Sequence, residues 1–328
     1  MNTAPVKGWV YQPVPGFESH LVQELTELGG APQSYGSLYL SETPPVISAR
    51  ASHGVPRTMV FWHQNCWLEP FRAEFASVSE AASILRDIQR NWASALSAHY
   101  RRGALITEKL PPVSTKRRPF PWRAPESPMG AWTLLDTHTL LASPRCTSPF
   151  PNGTIEFEED KIHPPSRAYL KLWEAFALIG SMPRKNERCL DAGASPGGWT
   201  WALATLGAAV TAVDRAPLDG TLLALPTVTF LKHDVFTVKP EDIGRIDWLC
   251  CDVICYPPRL YEWIEKWLAS GLCANFVCTI KMQGAPDFET TRRFAALPES
   301  RVLHLYHNKH ELTWLYTSSN RANVMPNT

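Results

Sequence analysis

The chain has 328 residues, 45% of them hydrophobic and 19% charged, with 32 Lys and Arg against 31 Asp and Glu. This composition excludes a disordered polymer, and the length suffices for two domains with separate cores. A formal charge of +1 excludes a uniformly basic chain, so any nucleic-acid footprint has to be local.

The opening MNTAPVKGWVYQPVPGFE has no apolar core of the secretory kind, and no apolar run is long enough to span a bilayer. A cytoplasmic chain with no membrane segment is expected. The segment GFESHLVQELTELGG places Phe17, Leu21, Leu25 and Leu28 at helical spacing before a double-glycine stop. SVSEAASILRDIQRNWASALSAHY predicts a second helix, opened by a serine cap with Glu80 in its first turn.

LPPVSTKRRPFPWRAPESPMG follows, too rich in proline for a helix or a central strand. It lies within residues 86–145, where ten Lys and Arg stand against four Asp and Glu. Lys116, Arg117, Arg118 and Arg123, extended by Arg101 and Arg102, suit phosphates, while Phe120 and Trp122 suit stacking on bases or sugars. A solvated, proline-stiffened surface loop is the competing reading. Strand-like AWTLLDTHTLLA and acidic EFEEDKIHPP close this part, a smaller α+β domain expected over residues 1–159.

Residues 160–328 alternate regularly between helix and strand. SRAYLKLWEAFALIG predicts a helix, RCLDAG a strand, GGWTWALATLG a helix and AVTAVD a strand. TVTFLKHD and IDWLCCD predict strands, PPRLYEWIEKWLASG a helix, NFVCTIK a strand and DFETTRRFAAL a helix. RVLHLYH and ELTWLYT close the series as an antiparallel edge hairpin. Strands apolar on both sides between helices predict a Rossmann-like α/β domain with a mostly parallel sheet.

Ligands bind such sheets at the carboxyl ends of the strands. The turn there runs Asp191, Gly193, Ser195, Pro196, Gly197, Gly198, without the third glycine of a dinucleotide fingerprint. An acid beside it disfavours a pyrophosphate and suits a cationic ligand such as S-adenosylmethionine. Asp214, Asp234 and Asp252 end the next strands, where a carboxylate can take ribose hydroxyls or an adenine amino group. Helix capping is the plainer role for any one of them. Trp199 and Trp201 are expected to pack their helix. The eight scattered cysteines lack paired metal-ligand spacing and are expected to be reduced, mostly buried thiols, with no metal site.

In order and spacing, SRAYLKLWEAF, LDAGASPGGWTW, CCDVICYPP, FVCTIKMQG and YHNKHELTWLYT resemble the FtsJ-type ribose 2′-O-methyltransferases, and within them the branch acting on a cytidine of large-subunit ribosomal RNA. The resemblance is dense over residues 146–317. It implies a Lys-Asp-Lys-Glu tetrad at Lys171, Asp252, Lys281 and Glu311, S-adenosylmethionine as cofactor, an RNA substrate and a THUMP-like RNA-binding region before the catalytic domain. The chemistry suits these residue types. A ribose hydroxyl is a poor nucleophile that has to be held in line and relieved of its proton. Lys281 is the expected base, its pKa lowered by burial and by Lys171, with Asp252 and Glu311 holding both ammonium groups. A monomer is expected. A base-directed methyltransferase and an inactive RNA-binding chain with a relic cofactor fold remain alternatives.

Overall fold

The computed structural model describes residues 3–45 and 60–318. It divides into two compact units, Met1–Arg118 with Ala124–Glu156, and Phe157–Thr328 with Pro119–Arg123. The division near residue 160 thus falls after Glu156, and a short piece of the proline-rich segment clusters with the second unit.

The first unit is built on two sheets. Strands β1 (Thr3–Pro5), β6 (Phe71–Glu74), β9 (Thr139–Ser143), β8 (Gly130–Leu134) and β7 (Trp92–Ser94) form one, in that order across it. Strands β3 (Gln33–Tyr35), β4 (Leu38–Ser41), β2 (Trp9–Pro13) and β5 (His63–Trp67) form the other. Helix α1 (Glu18–Glu27) buries Leu21 and Leu25 as its spacing predicts. Helices α2 (Val78–Ile88) and α3 (Tyr100–Thr107) contribute Leu85 and Ile106 to a core that also holds Phe71, Trp92, Trp132 and Leu140.

The long helix predicted from Ser77 to Tyr100 is therefore a helix followed by a strand, and the next helix only begins at Tyr100. Gln89 is extended (φ −165°), ending α2. Trp92 is buried, its indole N–H donating to the carbonyls of Leu85 (2.8 Å) and Gln89 (3.1 Å). Its backbone pairs in parallel with β8. Tertiary burial of one large ring overrides helical propensity here.

The second unit holds one seven-stranded sheet in the order β12, β11, β10, β13, β14, β16, β15. Strands β10 (Arg188–Ala192), β11 (Ala209–Asp214), β12 (Val228–Lys232), β13 (Ile246–Cys251) and β14 (Cys273–Lys281) run parallel. Strand β16 (Glu311–Thr317) inserts antiparallel between β14 and β15 (Ser300–Leu303). This is the predicted Rossmann-like α/β class with its edge hairpin. Residues 275–280 of β14 are all buried, so both faces of the sheet are covered. Helices α4 (Tyr169–Ile179), α5 (Gly198–Thr205), α6 (Gly220–Leu223), α7 (Pro240–Ile243), α8 (Pro257–Ser270) and α9 (Phe288–Ala296) supply the cover. In α8 the buried Leu260, Trp263, Ile264 and Trp267 recur at helical spacing.

The predicted strand RVLHLYH is shorter than its apolar run. It leaves the sheet after Leu303 because Glu174 accepts the backbone N–H of Tyr306 (2.8 Å) and His307 (3.1 Å). All eight cysteines are free thiols, six of them buried. No helix among the described residues is long and apolar enough to cross a membrane.

The turn after β10 depends on Gly193, which has φ +83°. A Cβ there would lie 2.8 Å from the backbone of Val253. Gly193→Ala is expected to destabilise the chain by about 2–4 kcal/mol, from left-handed strain and overpacking together. Urea denaturation checks this; an unchanged midpoint would show that the two turns can separate freely.

Candidate active site

Helix α4 is apolar almost throughout, and residues 169–177 are all buried, Lys171 and Glu174 included. A charged side chain in such a helix requires partners. Lys171 finds them at the carboxyl edge of the sheet, donating to Asp252 Oδ2 (2.7 Å), Asp252 Oδ1 (2.9 Å) and Glu311 Oε1 (3.0 Å). Lys281, the last residue of β14, donates to Asp252 Oδ1 (2.5 Å) and, in a short contact, to Glu311 Oε2. Thr279 adds a hydroxyl donor to Asp252 Oδ1 at 2.7 Å. The Trp199 ring lies 5.9 Å from Lys171 Nζ.

Three topological facts bring these groups together. Asp252 follows β13, and its N–H donates to Ala192 at the end of β10 (3.1 Å). Lys281 and Glu311 are register partners across β14 and β16. Lys171 reaches in from α4. The four side chains expected from the family resemblance thus form one closed network.

Lys171 and Lys281 differ in one respect. Lys171 makes three contacts, two of them to the two oxygens of one carboxylate, and its side chain is 10% exposed. Lys281 makes two, and its side chain is 15% exposed. Its pKa moves opposite to the sequence expectation. Burial pulls it down, but Asp252 and Glu311 outweigh burial and raise it above the ordinary lysine value. For Asp252, burial raises the carboxyl, and the charges of Lys171 and Lys281 bring it below the usual range.

The glycine turn departs from the expected pattern at several points. Asp191 does not open on the crevice. It is fully buried, Oδ2 accepts the Thr200 hydroxyl (2.6 Å), and Oδ1 is buried without a hydrogen-bond partner. Burial pushes its carboxyl up to about 7. The space a Cβ would take at Gly197 is filled by Leu222 and at Gly198 by the Ser166 hydroxyl, so these glycines serve packing. Ser195 donates its N–H to Asp214 Oδ2 (3.0 Å) and its hydroxyl to Pro217 (2.8 Å), with Pro196 beside it. Asp214 also accepts from Ala216 N–H (2.8 Å). Asp234 accepts from Phe236 N–H (3.0 Å), its capping role, and lies 3.6 Å from Arg259. Trp199 is buried and donates to the Ala168 carbonyl, and Trp201 packs on Tyr169, so both serve the helix.

The basic segment divides between the two units. Lys116, Arg117 and Arg118 belong to the first unit; Phe120, Trp122 and Arg123 belong to the second. Lys116 and Arg101 are exposed. Arg102 lies against the Phe75 ring (5.3 Å). Arg117 pairs with Glu156 (3.1 Å), and the Arg118 guanidinium donates to the Ser114 carbonyl. Phe120 already stacks on Trp173, with centroids 4.5 Å apart and planes 5° apart.

Sequence reasoning missed Glu174, Thr279 and His307. Glu174 accepts His307 Nδ1 (2.7 Å) besides the two backbone N–H groups, bolting the segment before Glu311 to the helix that carries Lys171. The signal was available: a second charged residue, one turn beyond Lys171, in an otherwise apolar helix. Thr279 in a buried strand carried no such mark. Among the described residues no cluster of three or more His, Cys, Asp or Glu is placed to hold a metal ion.

The family described as FtsJ-like methyltransferase matches residues 164–291. Ribosomal RNA large subunit methyltransferase M of Azoarcus sp. (strain BH72) is 34% identical over 185 residues, covering 52% of this chain and 50% of that protein. The protein of the same name from Xanthomonas oryzae pv. oryzae (strain PXO99A) is 30% identical over 256 residues, covering 72% and 69%. The chain spans about half the length of the first of these and about two thirds of the second. Among solved structures, TrmN from Thermus thermophilus is 12% identical, with 94% of this chain and 99% of that chain covered at a TM-score of 0.33.

Removing one partner from a buried ion network leaves the others uncompensated. Lys171→Met is expected to cost about 3 kcal/mol or more. Because the folded-state pKa of Asp252 is depressed, the network's contribution is present above the ordinary carboxylate range and lost as pH falls through the depressed value. The stability gap between wild type and variant, measured by urea denaturation, should therefore narrow in acid. A constant gap would remove the ion network as its origin.

Proposed function

Because the chain belongs to the ribosomal RNA large subunit methyltransferase M family, we propose that it transfers a methyl group from S-adenosylmethionine to a ribose 2′-hydroxyl of large-subunit ribosomal RNA. The observation that carries this reading is the closed network of Lys171, Asp252, Lys281 and Glu311 at the carboxyl edge of the sheet.

The residues present fit the cofactor, with one change from the sequence expectation. Asp214 and Asp234 stand at the ends of neighbouring strands, and their carboxylate oxygens keep lone pairs beyond those used by backbone N–H groups. They are the groups to hold ribose hydroxyls and the adenine amino group. Asp191 acts from beneath, tying β10 to α5 through Thr200. When bound, the cofactor supplies an electrophilic methyl group on a positively charged sulfur.

Lys281, which ends β14 and is the less buried of the two lysines, is the group the substrate hydroxyl meets. As an ammonium ion Lys281 holds the hydroxyl oxygen in place. To take the hydroxyl proton it must first release its own to solvent, and a further positive charge nearby favours that release. Asp252 and Glu311 fix its position throughout. Lys171 neutralises the outer sides of both carboxylates, so that they do not hold the Lys281 proton as tightly as two unshared acids would.

Lys281→Ala is expected to lower methyl transfer by on the order of 10²–10⁴-fold with cofactor affinity unchanged. Labelled cofactor, large-subunit ribosomal RNA and nucleoside analysis of the product check this. A base-methylated product, or no product from the wild-type chain, would overturn the reading. Since Lys281 starts as an ammonium ion with a raised pKa, the single-turnover rate should climb from neutral pH into the alkaline range. A flat profile would mean that Lys281 acts only as a positioning cation.

A further inference from the structure

The loop between β13 and α8 displays apolar side chains beside the network. It alternates in burial: Cys255 and Pro257 face inward, while Ile254 is 78% and Tyr256 is 64% exposed. A single exposed apolar residue needs no explanation. Two on one turn, two and four residues beyond Asp252, form an apolar surface left exposed among the described residues.

The loop is held firmly. Asp252 N–H is bonded to Ala192, Val253 is wedged against Gly193, and the Tyr256 carbonyl caps α8 by accepting from Arg259 N–H (3.1 Å). Pro257 sets the first turn of that helix. The loop also lies near Lys281, whose charge acts on the Cys255 thiol. Tyr256 stands within about 13 Å of Asp252 along the chain. On the opposite flank of Lys281, Tyr306 is less exposed and already packs edge-on against His307 (5.1 Å, 77°).

The geometry points to Tyr256, supported by Ile254, as the platform on which the base of the target nucleotide stacks while its ribose meets Lys281. This rests on the ribose-methylation reading above. In a nucleotide the base is attached to the carbon next to the one bearing the 2′-hydroxyl. A hydroxyl held at Lys281 therefore brings its own base to the rim of the same site. An aromatic ring fixed on a rigid loop there offers stacking at little entropic cost. Because a tyrosine face stacks on any base, Tyr256 sets the pose of the flipped-out nucleotide more than its identity.

Tyr256→Ala is expected to lower kcat/KM for protein-free large-subunit ribosomal RNA by on the order of ten- to a hundredfold. Tyr256→Phe, which keeps the ring, should stay near wild type, and cofactor affinity by calorimetry should be unchanged in both. Unchanged RNA kinetics in Tyr256→Ala would overturn the platform while leaving ribose methylation intact. Weakened cofactor binding with unaltered KM for RNA would overturn it too, by making the loop a cofactor cover. A wild-type chain that methylates no ribose would bring down the functional reading and this inference together.

Discussion

Two ammonium groups and two carboxylates taken out of water constrain the whole second unit. Each ion alone would cost several kcal/mol to bury, and only the other three offset that cost. The network therefore works as a cross-link with strict geometry, joining α4, the ends of β13 and β14, and the start of β16. It also gives a reason for the direction of β16. The parallel strands present their last residues at this edge, as β14 presents Lys281. A strand can offer its first residue, Glu311, at the same edge only by running antiparallel.

The parallel sheet was legible because its strands are short apolar runs that alternate with helices. The four network residues were legible through the family resemblance of the segments that carry them, although Lys171 and Glu311 would each pass singly for surface charges. The failures share a physical origin. Trp92 broke a helix that local spacing supports, because the free energy of burying an indole exceeds the propensity of a few residues. Tyr306 and His307 left a predicted strand because a carboxylate from a distant helix captured their N–H groups. The raised pKa of Lys281 depends on the balance between burial and two carboxylates at contact distance, and no spacing in the chain shows that balance. Long-range partners decided each case.

The glycine turn carries the same lesson into the site. Its residue types resemble a ligand cradle, yet the atoms nearest its missing side chains belong to Val253, Leu222 and Ser166. The close approach of Gly193 to Val253 draws the ends of β10 and β13 together. The bond from Asp252 N–H to the Ala192 carbonyl then fixes where the Asp252 carboxylate begins. A bulkier residue in the turn would push Val253 outward and carry Asp252 away from both lysines. Buried Asp191 holds the turn from below through Thr200, so displacing it would move α5 and with it Trp199, the ring beside Lys171. The turn is thus a positioning element for the ion network. Under the proposed function, cofactor binding and methyl transfer share that support, and a substitution in the turn disturbs both.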